Sequence, residues 1–100
     1  KKIIQTAQLA EKLGAKIIGL GAFTSIVTHD GKDLIGKTKA IITTGNTYSA
    51  LAAVENIFRA YKSVGLSQAQ SVVAVVGAGG SVGSGCARFL AGKVKKLILV

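Results

Sequence analysis

Apolar positions recur along the chain at two alternating periods. Ile3, Ile4, Ala7, Ala10 and Leu13 follow helical spacing, and Gly14 supplies a stop. Residues 16–20 read as a short buried strand, and residues 22–27 as a loop or short strand. Thr28-His29-Asp30-Gly31 carries turn chemistry, because Asp-Gly tolerates the positive φ of a tight turn. Residues 40–43 give the next strand. Ala50, Leu51, Val54, Ile57, Phe58 and Tyr61 then form a single apolar stripe at i, i+3, i+4, i+7 spacing, which predicts the best helix of the chain. Asn46 or Thr47 can cap its start, and Gly65 sits where a left-handed C-terminal residue is expected. After a polar link over residues 67–71 come a strand at 72–76, a helix at 81–91 and a strand at 97–100.

The predicted order is α, β, β, α, β, α, β with short connections, and such alternation argues for an α/β architecture with parallel strands. Half of the residues are hydrophobic (49%) and no stretch is of low complexity, as in folded material. No apolar run approaches the ~18 residues of a membrane span. The chain has no Met at position 1 and closes inside the apolar run Leu97-Ile98-Leu99-Val100, so a portion of a larger protein is expected.

Thirteen Lys and Arg against four Asp and Glu give a net charge of +9, which favours anionic partners. The lysines are scattered, with little aromatic character between them and no helix-turn-helix, zinc-finger or aromatic RNA-binding pattern, so nucleic acid is not the expected partner. One cysteine allows no internal disulfide, which suits a reducing, cytoplasmic compartment. No metal-ligand spacing is present.

The densest chemistry lies where the 72–76 strand meets a run of glycines. The spacing G-x-G-x-x-G fails because position 82 is Val; what fits is G-x-x-G-x-x-G through Gly77, Gly80 and Gly83, with Gly79 additional. An apolar strand before the turn and helical spacing after it (Val82, Cys86, Phe89, Leu90) give the context of a dinucleotide-binding βαβ unit. Gly77 permits the exit from the strand, and Gly79 and Gly80 let backbone approach a pyrophosphate. Gly83 and Gly85 let the helix pack closely on the sheet, and N–H groups near Ser81 and Val82 hold the phosphates. The expected architecture is the end of an α/β substrate domain with a linking helix (residues 1–65), followed by the first βαβ unit of a Rossmann, doubly wound parallel domain (residues 66–100). The acidic or basic residue that selects NAD or NADP falls just past Val100.

Three stretches in order, Gly21-Ala22-Phe23-Thr24-Ser25-Ile26, Thr43-Thr44-Gly45-Asn46-Thr47 and Val73 through Gly83, resemble the long-chain acyl-(acyl carrier protein) reductases and the predicted amino-acid dehydrogenases related to them. Looser similarity reaches shikimate dehydrogenases and glutamyl-tRNA reductases. The resemblance implies an NAD(P)-dependent oxidoreductase, with NADPH as cofactor. It also implies reduction of a fatty acyl thioester on an acidic acyl carrier protein to an aldehyde through a covalent thioester. The nucleophilic cysteine of those reductases belongs to a later segment, and Cys86 is read as a packing residue. Gly79-Gly80 replaces a favoured Thr-Gly pair, which moves the chain toward the dehydrogenase-like relatives. A non-catalytic Rossmann module for nucleotide or partner binding is the rival from another class.

Thr24 and Ser25 follow a strand, and Thr44, Asn46 and Thr47 precede a helix, so their hydroxyl and amide groups are the candidate substrate contacts. His29 reads as a surface turn residue and Tyr48 as a packing residue at the start of the helix.

Overall fold

The computed structural model describes residues 1–100. Ten elements occur in chain order: helix α1 (Lys2–Lys12), strand β1 (Ile17–Gly19), helix α2 (Ala22–Val27), a one-turn 3-10 helix (Lys32–Leu34), strand β2 (Ile41–Thr43), helix α3 (Asn46–Ser63), a second 3-10 turn (Gln68–Gln70), strand β3 (Val72–Val75), helix α4 (Ser81–Leu90) and strand β4 (Lys96–Leu99). The fold is a small α/β fold with two parallel strand pairs, β1–β2 and β3–β4. It divides into two compact units, Lys1–Gly45 and Asn46–Val100. Helix α3, which the sequence groups with the first 65 residues, packs within the second unit. No helix is long and apolar enough to cross a membrane.

In the first unit, Ile17 pairs with Ile41 and Ile18 with Ile42. Backbone bonds from Ile41 N–H to the Lys16 carbonyl (2.9 Å) and from Leu20 N–H to the Thr43 carbonyl (2.7 Å) extend the ladder. Side chains alternate across a strand, so Ile18 and Ile42 join Ala7, Leu20 and Leu34 in the core, and Ile17 and Ile41 stay exposed. The strand is confined to Ile17–Gly19 and half-buried on one face at Ile18, where residues 16–20 suggest a short buried strand. Helix α1 ends as expected: Gly14 takes φ +96°, and Ala15 N–H reaches back to the Ala10 carbonyl (2.9 Å).

Residues 22–27 are a helix, and neither a loop nor a strand. Helix α2 inverts the usual pattern by burying Ser25 and Thr28 and exposing Phe23 and Ile26, so hydrophobic periodicity gives no sign of it. The buried hydroxyls serve the turn that follows. Thr28 Oγ1 donates to the Thr24 carbonyl (2.6 Å) and accepts from Gly31 N–H (3.2 Å), and Ser25 Oγ donates to Asp30 Oδ1 (3.3 Å). His29, Asp30 and Gly31 run through three consecutive left-handed conformations, which Asp and Gly accommodate.

One long-range clasp ties α1 to the segment entering β2. Glu11 Oε2 accepts from Thr38 Oγ1 (2.7 Å) and from Lys39 N–H (3.0 Å). These bonds, the hydroxyl first, hold its carboxyl below the usual carboxylate range, and the charges of Lys39 and Lys16 act in the same direction.

In the second unit, Val73 and Val75 face Val54 and Leu90 in the core, with Phe58, Tyr61, Cys86, Phe89 and Leu97 packed around them. The opposite face of the pair carries exposed Val72, Val76, Ile98 and Val100. Of the stripe on α3, Ala50 and Val54 are buried, Ile57, Phe58 and Tyr61 half-buried, and Leu51 exposed. The helix ends at Gly65, φ +69°, with Leu66 N–H bonded to the Tyr61 carbonyl (2.9 Å).

A carboxyl whose folded pKa lies below its unfolded value contributes stability above the unfolded value, and that stability is lost as pH falls through the folded one. Acidification below the carboxylate range is therefore expected to lower the unfolding midpoint of the native chain. A Glu11→Gln variant should lose less across the same interval, as followed by urea titration at neutral and acid pH. Equal acid loss in both proteins would remove Glu11 from the account.

Candidate functional site

The turn between β3 and α4 is held by its neighbour strand and by its own helix. Gly77 N–H (2.8 Å) and Ala78 N–H (3.1 Å) both donate to the Val100 carbonyl, and Val100 N–H returns to the Val75 carbonyl (3.1 Å). Gly77 lies at φ +81°, where a side chain is strained, and its carbonyl accepts from Gly80 N–H (3.0 Å). Gly80 is the N-cap of α4, and Ser84 N–H donates to its carbonyl (2.8 Å) as the helix begins.

Helix α4 passes so close to this turn that Gly83 has no room for a methyl group. An added Cβ would overlap the Gly77 carbonyl oxygen, with Gly77 C at 2.8 Å and Ala78 Cα at 3.1 Å. Gly85, two residues on, does a different job from the one its position suggests. Its Cβ would stand 2.8 Å from Ala50 Cβ, so it admits α3 and not the sheet. Cys86 follows the same contact: half-buried on the core, its Sγ lies 3.7 Å from the Ala50 carbonyl.

Gly77, Gly79, Gly80, Ser81, Val82 and Gly83 are thus gathered on one turn and the first turn of one helix. No side chain caps that helix, and its first turn holds no acidic residue. The N–H groups of a first helical turn have no acceptor within the helix and, with the helix dipole, favour an anion. Gly79 and Gly80 are exposed, and a Cβ on Gly79 would enter open space with nothing within 4 Å. Glu55 is the one acidic residue in the unit.

The other candidate residues are dispersed. Thr24, Ser25 and Thr44 belong to the first unit, and Asn46 and Thr47 open α3 in the second. Thr24 Oγ1 donates to the Gly21 carbonyl (2.7 Å), and Ser25 is buried with its hydroxyl on Asp30. Tyr48 is 77% exposed, contrary to the packing role its position suggests. His29 Nδ1 lies 3.1 Å from Asp33 Oδ2, both exposed on the surface turn. No group of three or more His, Cys, Asp or Glu side chains comes together as a metal site. The Val100 carbonyl, which fixes the turn, carries no sequence signal, because any residue supplies a carbonyl.

No protein-family model matches the chain. It is similar to the long-chain acyl-[acyl-carrier-protein] reductase of Synechococcus elongatus, at 35% identity over 98 residues and 90% of the chain. It is also similar to the aminotransferase PigE of a Serratia species, at 32% identity over 77 residues and 77% of the chain. The chain spans 28% of the length of the first of these proteins and 9% of the second.

The two glycine contacts make separable predictions. Gly83→Ala forces α4 off a rigid backbone, so a loss at the upper end of the ~1–3 kcal/mol typical of overpacking is expected in the denaturant midpoint. Gly85→Ala meets only the Ala50 methyl group, so combined with Ala50→Gly its loss should fall well below the sum of the two single losses, whereas the same addition to Gly83→Ala should give additive losses. Additive losses in both pairs would contradict the assigned contacts.

Proposed function

We propose that Asn46–Val100 is the start of a Rossmann-type nicotinamide-dinucleotide site, and that the protein is an NAD(P)-dependent oxidoreductase of the acyl-(acyl carrier protein) reductase kind. The observation that carries this proposal is the uncapped N-terminus of α4, set directly after a parallel strand by a glycine turn with open space at Gly79. The residues present fit a pyrophosphate: Gly79 and Gly80 offer exposed backbone, and Ser81, Val82 and Gly83 supply the first-turn N–H groups. When bound, such a cofactor supplies hydride chemistry; the residues described here bind and orient it.

Similarity to an enzyme named for reducing an acyl chain on its carrier protein supports NADPH and a carrier-bound fatty acyl thioester as cofactor and substrate. In that reading Thr24 and Thr44 are candidate substrate contacts of the first unit and Asn46 and Thr47 of the second, and Ser25 is bonded into its own turn. Cys86, packed on the core, carries no step. The domain division proposed is an α/β substrate portion followed by the cofactor-binding portion. A second reading has its own support: a protein named as an aminotransferase is similar over 77% of the chain, which suits a cofactor or nucleotide module joined to different chemistries.

Gly79→Val separates binding from folding, because a Cβ at this position has no protein atom within 4 Å. Calorimetric titration of the full-length protein with NADPH and NADH is expected to show binding, weakened at least about tenfold in Gly79→Val with an unchanged unfolding midpoint. Absence of binding, or equal affinity in the variant, would reject the site. Binding without acyl-thioester reduction would favour the module.

A further inference from the structure

Asp30-Gly31 is the chain's one Asp-Gly pair, and it stands in the left-handed run of His29 (φ +50°), Asp30 (φ +58°) and Gly31 (φ +82°). Gly31 is buried, and a Cβ on it would lie 2.7 Å from Ile42 Cγ2 and 3.1 Å from Leu20 Cδ1, so glycine is what seats this backbone on the core. Asp30 is exposed beside it. Such a pair has a chemistry of its own, because a glycine nitrogen, unhindered by a side chain, can close on the preceding carboxyl. Here two buried hydroxyls hold both reacting groups. Gly31 N–H donates to Thr28 Oγ1 (3.2 Å), and Asp30 Oδ1 accepts from Ser25 Oγ (3.3 Å). Thr28 is itself fixed on the Thr24 carbonyl (2.6 Å), and Asp30 N–H is bonded to the Ser25 carbonyl (2.8 Å).

We propose that Asp30-Gly31 is a latent isoaspartate site, kept closed by Thr28 and Ser25 and opened when this turn loosens locally. In the open turn the Gly31 nitrogen forms a bond to Asp30 Cγ. Its proton and the carboxyl hydroxyl leave as water, and a five-membered succinimide results. Water then adds to one of the two ring carbonyls. Attack at Cγ breaks the new bond and restores aspartate. Attack at the Asp30 backbone carbonyl breaks the original peptide bond and leaves the chain running through Cβ and Cγ. One water leaves and one returns, so no oxidant or cofactor is needed. In the closed turn the Gly31 N–H is held by Thr28 and the carboxylate by Ser25, so neither reaches the other. Isoaspartate adds one carbon to a backbone set against Ile42 and Leu20, and the turn does not close around it again. Local opening is thereby recorded as a lasting change in the first unit. The site lies in Lys1–Gly45 and needs no ligand, so it is independent of the glycine turn.

Prolonged incubation of the full-length protein at neutral pH in heavy-oxygen water tests this, followed by trypsin digestion in ordinary water and mass spectrometry of residues 17–32. Each passage through the ring leaves one heavy oxygen at residue 30, and chromatography separates isoaspartate from aspartate. Urea-unfolded protein is expected to react at least about tenfold faster than folded protein, as reactions confined to an opened state do. Thr28→Val should raise the folded rate at least about fivefold, because it takes the acceptor from a buried N–H, and Thr28→Ser should stay near wild type. Leu34→Ala loosens the same unit without touching the turn hydroxyls. With urea added until both variants are equally unfolded by circular dichroism, Thr28→Val should remain the faster. Equal rates in that comparison, or equal rates in folded and unfolded wild type, would overturn the proposal. So would an unfolded chain that gains no heavy oxygen at residue 30.

Discussion

The second unit depends on the close approach of Gly83 to the backbone of Gly77 and Ala78, which leaves no room for a Cβ. Because no side chain intervenes, α4 starts against the turn that ends β3, and its N-terminal N–H groups open beside the strand's carboxyl end. The same contact lets the helix reach its core, where Leu90 is fully buried against Val54, Val73 and Val75. Two glycines inside a ten-residue helix cost roughly 1 kcal/mol each relative to alanine. Both are retained at positions where a methyl group would collide, Gly83 with a backbone and Gly85 with a neighbouring helix. The helix trades intrinsic propensity for proximity, and proximity sets its first turn beside the end of β3.

The first unit adds polar contacts to a small apolar core. Glu11 bonded to Thr38 and Lys39 is a long-range tie, and Ser25 and Thr28 bonded into the left-handed turn fix it locally. Using Glu11 as a clasp has an electrostatic consequence. The one carboxylate near Lys12, Lys16, Lys37 and Lys39 is occupied by neutral donors, and the lysine charge is left for solvent or for a partner.

How much of this was legible followed from where the physics is local. Helices α1, α3 and α4 announce themselves through apolar spacing and through Gly14 and Gly65, which adopt the left-handed conformations their positions imply. The strands are legible too: β1, β2 and β3 are shorter than their apolar runs, and β4 is shifted by one residue. Helix α2 is hidden because its buried side is Ser25 and Thr28, a pattern that periodicity reads as solvent-facing. At the candidate site the glycines were legible as a group, since a strand and a helix flank them. The neighbour of each glycine was not: Gly85 meets Ala50, thirty-five positions away, and the Val100 carbonyl holds the turn without regard to its side chain. The substrate candidates depend most on tertiary context, and among them the buried Ser25 shows how a hydroxyl suited to a ligand can be spent on a turn.

The central claim is that the first turn of α4 receives the pyrophosphate of a nicotinamide dinucleotide. Amide-resolved 1H–15N spectra of the labelled full-length protein titrated with NADPH address it most directly. Saturable shifts at Gly79, Val82 and Gly83, with Gly36 and Lys37 unmoved, are the predicted result. Shifts confined to residues 36–39, or none along residues 77–83, would contradict it.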